Sequence, residues 1–204
     1  AHGGTDYPNV EKLGEALFHD ANLSMNRTMS CSTCHTSANG FTDIRDTEKA
    51  GHAVSLGDDG KSLGDRNAPT ATYAKFSPPF GKDAEGNYVG GQFWDGRAAT
   101  LEDQAGGPPL NPIEMGMADK SSVVKRLKEN PDYVTAFASN FGPNVFENDE
   151  QAFAAMGKAL AAYERSDTLS TFDSKYDRFL RGEEKLTDQE ELGRVLMSST
   201  QFTN

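Results

Sequence analysis

"SCSTCHTS", residues 30–37, decides how the rest of the chain is read. It holds Cys31 and Cys34, the two cysteines of a 204-residue sequence, and His35 follows the second directly. A redox pair of the C-x-x-C type sits after a strand in a βαβ setting. The preceding "NLSMNRTM", 22–29, is polar and turn-like instead. A zinc site needs about four ligands. Here a fourth would still have to be found, and His35 is too close in sequence to pair easily with both thiolates. C-x-x-C-H is the signature of c-type haem attachment. Two thiols bond the vinyl groups, and the imidazole of the next residue faces the iron. The residues therefore favour one covalently held haem c with His35 as proximal ligand, ahead of a redox pair, another metal or chance. Haem c implies assembly outside the cytoplasm, so a periplasmic or otherwise extracytoplasmic location is expected.

Composition agrees with that reading. The formal net charge of −11 sets the surface against nucleic acid and anionic membranes. No apolar run approaches the roughly 20 residues of a membrane span. No targeting segment is visible. The start "AHGG", without Met, fits a mature product and equally an artificial boundary. An apolar fraction of 36% is low, and a large prosthetic group would supply part of the missing core.

The expected fold is mainly α: a c-type cytochrome-like haem domain with long irregular loops and a small β-hairpin. Val10, Leu13 and Leu17 recur at helical spacing in 9–20. Residues 21–95 look irregular, too long a stretch for a bare loop, and wrapping a haem explains them. A hairpin is expected over 81–91, turning at Glu85-Gly86-Asn87. Helices follow at 100–105 with Thr100 as N-cap, at 119–130, and at 131–141, which Gly142-Pro143 stops. The strongest helix spans 148–167. Asn148 caps it, Gln151 sits at the capping-box position, and Phe153, Met156, Leu160 and Tyr163 form a stripe read as core, not cofactor contact. Two more are expected, at 172–181 and from the Thr187/Glu190 capping box to about Met197. "KLGEALF", 12–18, and "ELGRVLM", 191–197, look alike. A glycine inside a helix costs about 1 kcal/mol against alanine, so Gly14 and Gly193 both call for close packing.

"LGEALFHDANLS", "SCSTCH", "GDRNAPT", "GQFWDGRAATLEDQA" and "NPIEM", in order along the chain, resemble the bacterial di-haem cytochrome c peroxidases and their relatives, including MauG-like enzymes. The resemblance implies two domains: 1–165 as the N-terminal, peroxide-reacting haem domain, and 166–204 as the opening helices of a second haem domain whose CxxCH lies beyond Asn204. It implies reduction of hydrogen peroxide to water, with electrons relayed from that second haem.

The resemblance also implies roles for residues. Gln104, Glu114 and Pro108 match the distal pocket. A carboxylate there can move a proton between the peroxide oxygens, and an amide can orient the peroxide. Trp94 matches the electron relay between haems. Phe93 reads as packing at the cofactor. Arg66 and Arg97 are candidates for the haem propionates. Asn67 matches a residue that helps bind Ca2+ between the domains, although one oxygen is far from the 6–8 that Ca2+ takes. An electron-donor protein, a cytochrome c or a cupredoxin, is an expected partner, with a homodimer as a further possible assembly.

One departure stands out. Family members that need reductive activation carry a His in the loop at "HAVSLGDDG", 52–60, capping the distal iron. Here Asp58 and Asp59 take that place and His52 lies earlier. An open distal face is expected, with His52 as the rival cap. His2 and His19 read as structural or surface. Two other outcomes remain: a MauG-like oxidase acting on a protein, and a mono-haem electron carrier, which would need Met115 or Met117 as a strong sixth ligand.

Overall fold

The computed structural model describes residues 7–47, 51 and 53–200. His2 and His52 lie outside them. The chain divides into two compact units, 1–169 and 170–204.

In the first unit the helices are α1 (Val10–Phe18), α2 (Cys31–Cys34), α3 (Leu101–Ala105), α4 (Gly107–Leu110), α5 (Lys120–Lys128), α6 (Pro131–Phe141) and α7 (Asp149–Glu164). Side-chain caps set their starts. Asn9 accepts from the Lys12 amide, Thr100 from Asp103, and Asn148 from Gln151. The Asn148 cap forms as expected. No return bond from the Gln151 side chain accompanies it among the described residues. Gly142, at a φ of 103°, closes α6.

α7 buries residues on every side, from Ala152 to Glu164, which marks a helix at the centre of its unit. It packs against α1, α3 and α5. Small residues let neighbouring backbones come close. A Cβ on Gly14 would fall inside the carbonyl of Ala159, and one on Gly157 would lie 2.9 Å from the Glu102 carbonyl oxygen. Leu13, Leu17 and Phe18 of α1, with Met156 and Leu160 of α7, are at most 2% exposed.

The long irregular stretch is held by specific long-range hydrogen bonds, as buried backbone requires. Met25 N–H donates to the Met115 carbonyl, Asp58 N–H to Glu114, and Tyr73 N–H to Leu169. The hairpin pairs β1 (Gly81–Lys82) with β2 (Tyr88–Val89), Gly81 opposite Val89. In its turn the Asp83 carboxylate accepts from the amides of Glu85 and Asn87, and Gly86 supplies a φ of 86°.

In the second unit α8 is Lys175–Leu180 and α9 is Asp188–Met197. α8 starts later than expected because Ser174 and Asp177 form a capping box and Phe172 takes a φ of 45°. The expected Thr187/Glu190 box opens α9. The parallel between Gly14 and Gly193 fails: a Cβ at Gly193 meets nothing within 4 Å. α4, "GPPL", carries no helical periodicity in the sequence. Pro at its first turn suits a helix start, yet "GGPP" in isolation reads as a turn.

Candidate haem site

Cys31 and Cys34 sit on the single turn of α2. Ser30 N–H donates to the Thr33 hydroxyl at 2.9 Å, which fixes how the chain enters that turn. The two thiols are not joined to each other. Burial pushes the Cys31 thiol up to about 12, with smaller contributions from the charges of Glu164 and Cys34. Burial also raises Cys34, and the Arg45 guanidinium opposes the rise. Arg45 reaches Cys34 Sγ at 3.3 Å while paired with the buried Asp43 at 2.6 Å.

His35 caps α2. Its Nδ1 lies 3.0 Å from the Phe41 carbonyl oxygen, because the chain doubles back through a Thr36–Thr42 bridge. A backbone acceptor at Nδ1 sets the tautomer that offers Nε2 to a metal. Burial lowers the pKa of His35, and the Phe41 carbonyl partly offsets this; the lowering favours the neutral ring that ligation requires.

Both thiols and the His35 imidazole line a cavity of about 500 Å³, within the range of cofactor sites. Phe18, Met29, Leu101, Met115 and Leu160 give it apolar wall. Leu160 corrects the reading of its stripe as core alone, since it is buried and also faces the cavity. Two thiols and an imidazole on one turn, opening into a largely apolar cavity of this size, fit a covalently held haem.

Gln104 of α3, Pro108 of α4 and Glu114 just beyond α4 line the same cavity. α4 swings the chain round: Asn111 N–H bonds back to the carbonyls of Gly107 and Pro108, and Glu114 N–H to Asn111. Burial raises the pKa of Glu114, against the pull of the Asn111 side chain and the Arg97 charge. Met115 also lines the cavity. Met117 is buried but is not among its lining residues.

At the rim, Trp94 is 62% exposed and its Nε1–H donates to the Asn67 carbonyl at 2.8 Å. Phe93, at a φ of 64°, lies under the Arg97 guanidinium at 3.7 Å. Arg66 and Arg97 both pair with Asp95, at 2.9 and 3.0 Å. Asp95, which sequence reading passed over, thus joins the two cations into one group. Asn67 lines the cavity and its amide donates to the Ala53 carbonyl. No cluster of three or more His, Cys, Asp or Glu able to hold a metal ion occurs among the described residues.

Asp58 and Asp59 are not among the residues lining the cavity. Asp58 accepts hydrogen bonds from the Ser24 and Thr28 hydroxyls and the Asn26 amide, at 2.6–2.7 Å. Asp59 caps the turn at Lys61 and Ser62. The expectation that they occupy the place of a distal cap is therefore corrected: Asp58 is a buried staple and Asp59 a turn residue. His19 is a surface group, its Nδ1 against the Glu15 carbonyl and its ring beside Phe18 and Tyr163.

Glu164 also escaped the sequence. It is the last residue of α7, 8% exposed, and lines the cavity. At the end of "ALAAYE" it has the look of a surface carboxylate, and only packing shows otherwise.

A family model described as di-haem cytochrome c peroxidase matches residues 8–185. The chain is 56% identical over 181 residues to the methylamine utilization protein MauG of Paracoccus denitrificans, covering 89% of this chain and 46% of that protein. It is 40% identical over 185 residues to the cytochrome c peroxidase Ccp of Escherichia coli, covering 90% of this chain and 34% of that protein. The crystal structure of the diheme peroxidase BthA from Burkholderia thailandensis superposes with a TM-score of 0.85 at 33% identity, covering 92% of this chain and 46% of that one. The chain spans less than half the length of these relatives.

Proposed function

Because the chain belongs to the di-haem cytochrome c peroxidase family, we propose that its first unit is a peroxide-reacting haem c domain that reduces hydrogen peroxide to water. The observation that carries this is the meeting of Glu114 and Gln104 with Cys31, Cys34 and His35 in one cavity. Cys31 and Cys34 would hold the haem covalently and His35 would ligate its iron. The Arg66–Asp95–Arg97 group would face the propionates. The haem, when bound, supplies the redox-active iron at which the O–O bond is cleaved.

The chain's own residues manage the protons. Glu114 takes a proton from one oxygen of H2O2 and returns it to the other, which leaves as water. Its burial and raised pKa bring it closer to the working pH, as a group that must both accept and release a proton needs. Gln104 orients the peroxide without competing for the proton. Trp94, exposed at the rim, passes in the electrons. Two electrons and two protons per H2O2 give two waters.

The electrons would come from a second haem c, fed by a cytochrome c or cupredoxin donor. Residues 170–204, the second unit, are proposed as the opening of the domain that holds it. α8 and α9 carry no buried residue, and Leu180, Leu192 and Met197 are exposed, which suits helices that pack on further chain. Asn67 offers one oxygen toward a Ca2+ that ligands from elsewhere would complete. Covalent haem attachment would put the protein outside the cytoplasm. No helix among the described residues is long and apolar enough to cross a membrane.

Stopped-flow peroxide reduction by the haem-loaded protein tests the assignment. Glu114→Gln should slow it by about 10²–10⁴-fold with the haem spectrum nearly unchanged. An unchanged rate would return Glu114 to a structural role.

A further inference from the structure

We propose that Glu164 is the proton-coupled redox group of the haem site: its carboxyl ionises in the oxidised protein and takes a proton back when the site takes an electron. The inference rests on the haem reading above.

A carboxyl in a buried wall is normally paired or hydrogen-bonded. Glu164 is 8% exposed and lines the cavity. No hydrogen bond or ion pair to its carboxyl is found among the described residues. The surrounding charges are occupied with one another. Arg165 turns to Glu102 of α3, with Nη2–Oε2 at 2.8 Å. Lys75 donates to the Arg165 carbonyl and lies 3.6 Å from Asp167. From α1, Glu15 acts on Tyr163. From α5, Lys120 pairs with Glu150 at the far end of α7. Around the rest of the cavity wall are His35, Glu114, Asp65 and the Arg66–Asp95–Arg97 group. The carbonyl end of α7 adds partial negative charge beside Glu164. Burial, with Glu102 assisting and Arg165 opposing, raises its pKa to about 8.

Glu164 is also coupled to Cys31, whose thiol feels its charge. Cys31 is one of the two sulfurs that would hold the haem. Adding an electron to the site makes it more negative by one charge. In a buried setting this disfavours a neighbouring carboxylate far more than it would in water. Linkage makes the effect reciprocal: reduction tightens the proton on Glu164, and protonation favours reduction. The step balances as one electron to the iron, from any one-electron donor, and one proton from solvent to a Glu164 carboxylate oxygen.

Redox titration of the covalently haem-loaded protein between pH 6 and 10 tests this. The midpoint potential of the haem at Cys31 and Cys34 should be flat below about pH 8, where the carboxyl keeps its proton in both states, and fall as pH rises above it. The limit is a tenfold change in the reduction equilibrium per pH unit, about 59 mV for a one-electron couple. Glu164→Gln should be flat over that range and hold the low-pH value of the wild type. Glu114→Gln should keep the slope, which separates the two cavity carboxyls. Reduced-minus-oxidised infrared spectra should show a protonated-carboxyl band that Glu164→Gln lacks. A haem-loaded wild type with a flat potential, or a slope that survives in Glu164→Gln, overturns the inference alone. A denatured chain carrying no added haem mass overturns the function on which it rests.

Discussion

Gly14 and Ala159 touch backbone to backbone: a side-chain carbon on Gly14 would occupy the space of the Ala159 carbonyl group. This contact sets the closeness of α1 and α7, and so the placement of Phe18 and Leu160 on the cavity wall. Gly14→Ala should destabilise the first unit by on the order of 3 kcal/mol, as overpacking against rigid backbone does. Gly193→Ala in α9 meets open space and should raise helix stability by about 0.5–1 kcal/mol. Denaturant titration followed by circular dichroism compares them, and equal effects would contradict the packing.

Asp58 should matter for folding and little for chemistry. Burial works against its charge, but bonds from Thr28, Asn26 and Ser24 outweigh this and hold its pKa below the usual value. Stability from a depressed carboxyl is complete above the unfolded pKa, 3.8, and is lost as pH falls below it. Asp58→Ala should cost on the order of 3 kcal/mol, since hydrogen bonds to a charged group are worth about 1.5–3 kcal/mol each. Peroxide kinetics of the folded fraction should be unchanged. A kinetic defect without a stability loss would place Asp58 at the iron after all.

Glu164 carries the opposite pH signature. Its pKa is raised by folding from 4.5 to about 8. The stability tied to its proton is complete below pH 4.5, declines as pH rises and is gone above about 8. At about 1.4 kcal/mol per unit, the loss is at most roughly 5 kcal/mol. Denaturant midpoints of the haem-loaded protein should fall more between pH 5 and 8 in the wild type than in Glu164→Gln. Parallel curves would show that the carboxyl does not titrate in the fold.

An open distal face predicts a high-spin ferric haem that reacts with peroxide without prior reduction. Support comes from Asp58 and Asp59, tied up elsewhere, and from His35, the one imidazole among the described residues lining the cavity. The ferric spectrum of the wild type should match that of His52→Ala. A low-spin wild type that becomes high-spin on mutation would make His52 the cap. A low-spin spectrum unaffected by His52→Ala but abolished by Met115→Ala would favour the electron-carrier reading.

Local signals were legible because they act within a few residues. C-x-x-C-H, the Asn9, Thr100, Asn148 and Thr187 caps, and the turn at Gly86 each concern groups that meet whatever the rest of the chain does. From these follow a mainly helical chain and the residues that would hold a covalent haem, whereas the cavity of about 500 Å³ belongs to the folded chain. Glu114 and Gln104 stand out in the sequence only through the family resemblance, since ten residues of separation say nothing about two side chains meeting. The tertiary structure alone decided what depends on long-range packing. It made Asp58 a staple, joined Arg66 to Arg97 through Asp95, distinguished Gly14 from Gly193 within matching heptapeptides, and turned Glu164 inward. Charge, proton affinity and steric cost at these positions depend on desolvation and on neighbours remote in sequence, and both exist only once the chain has closed around its cavity.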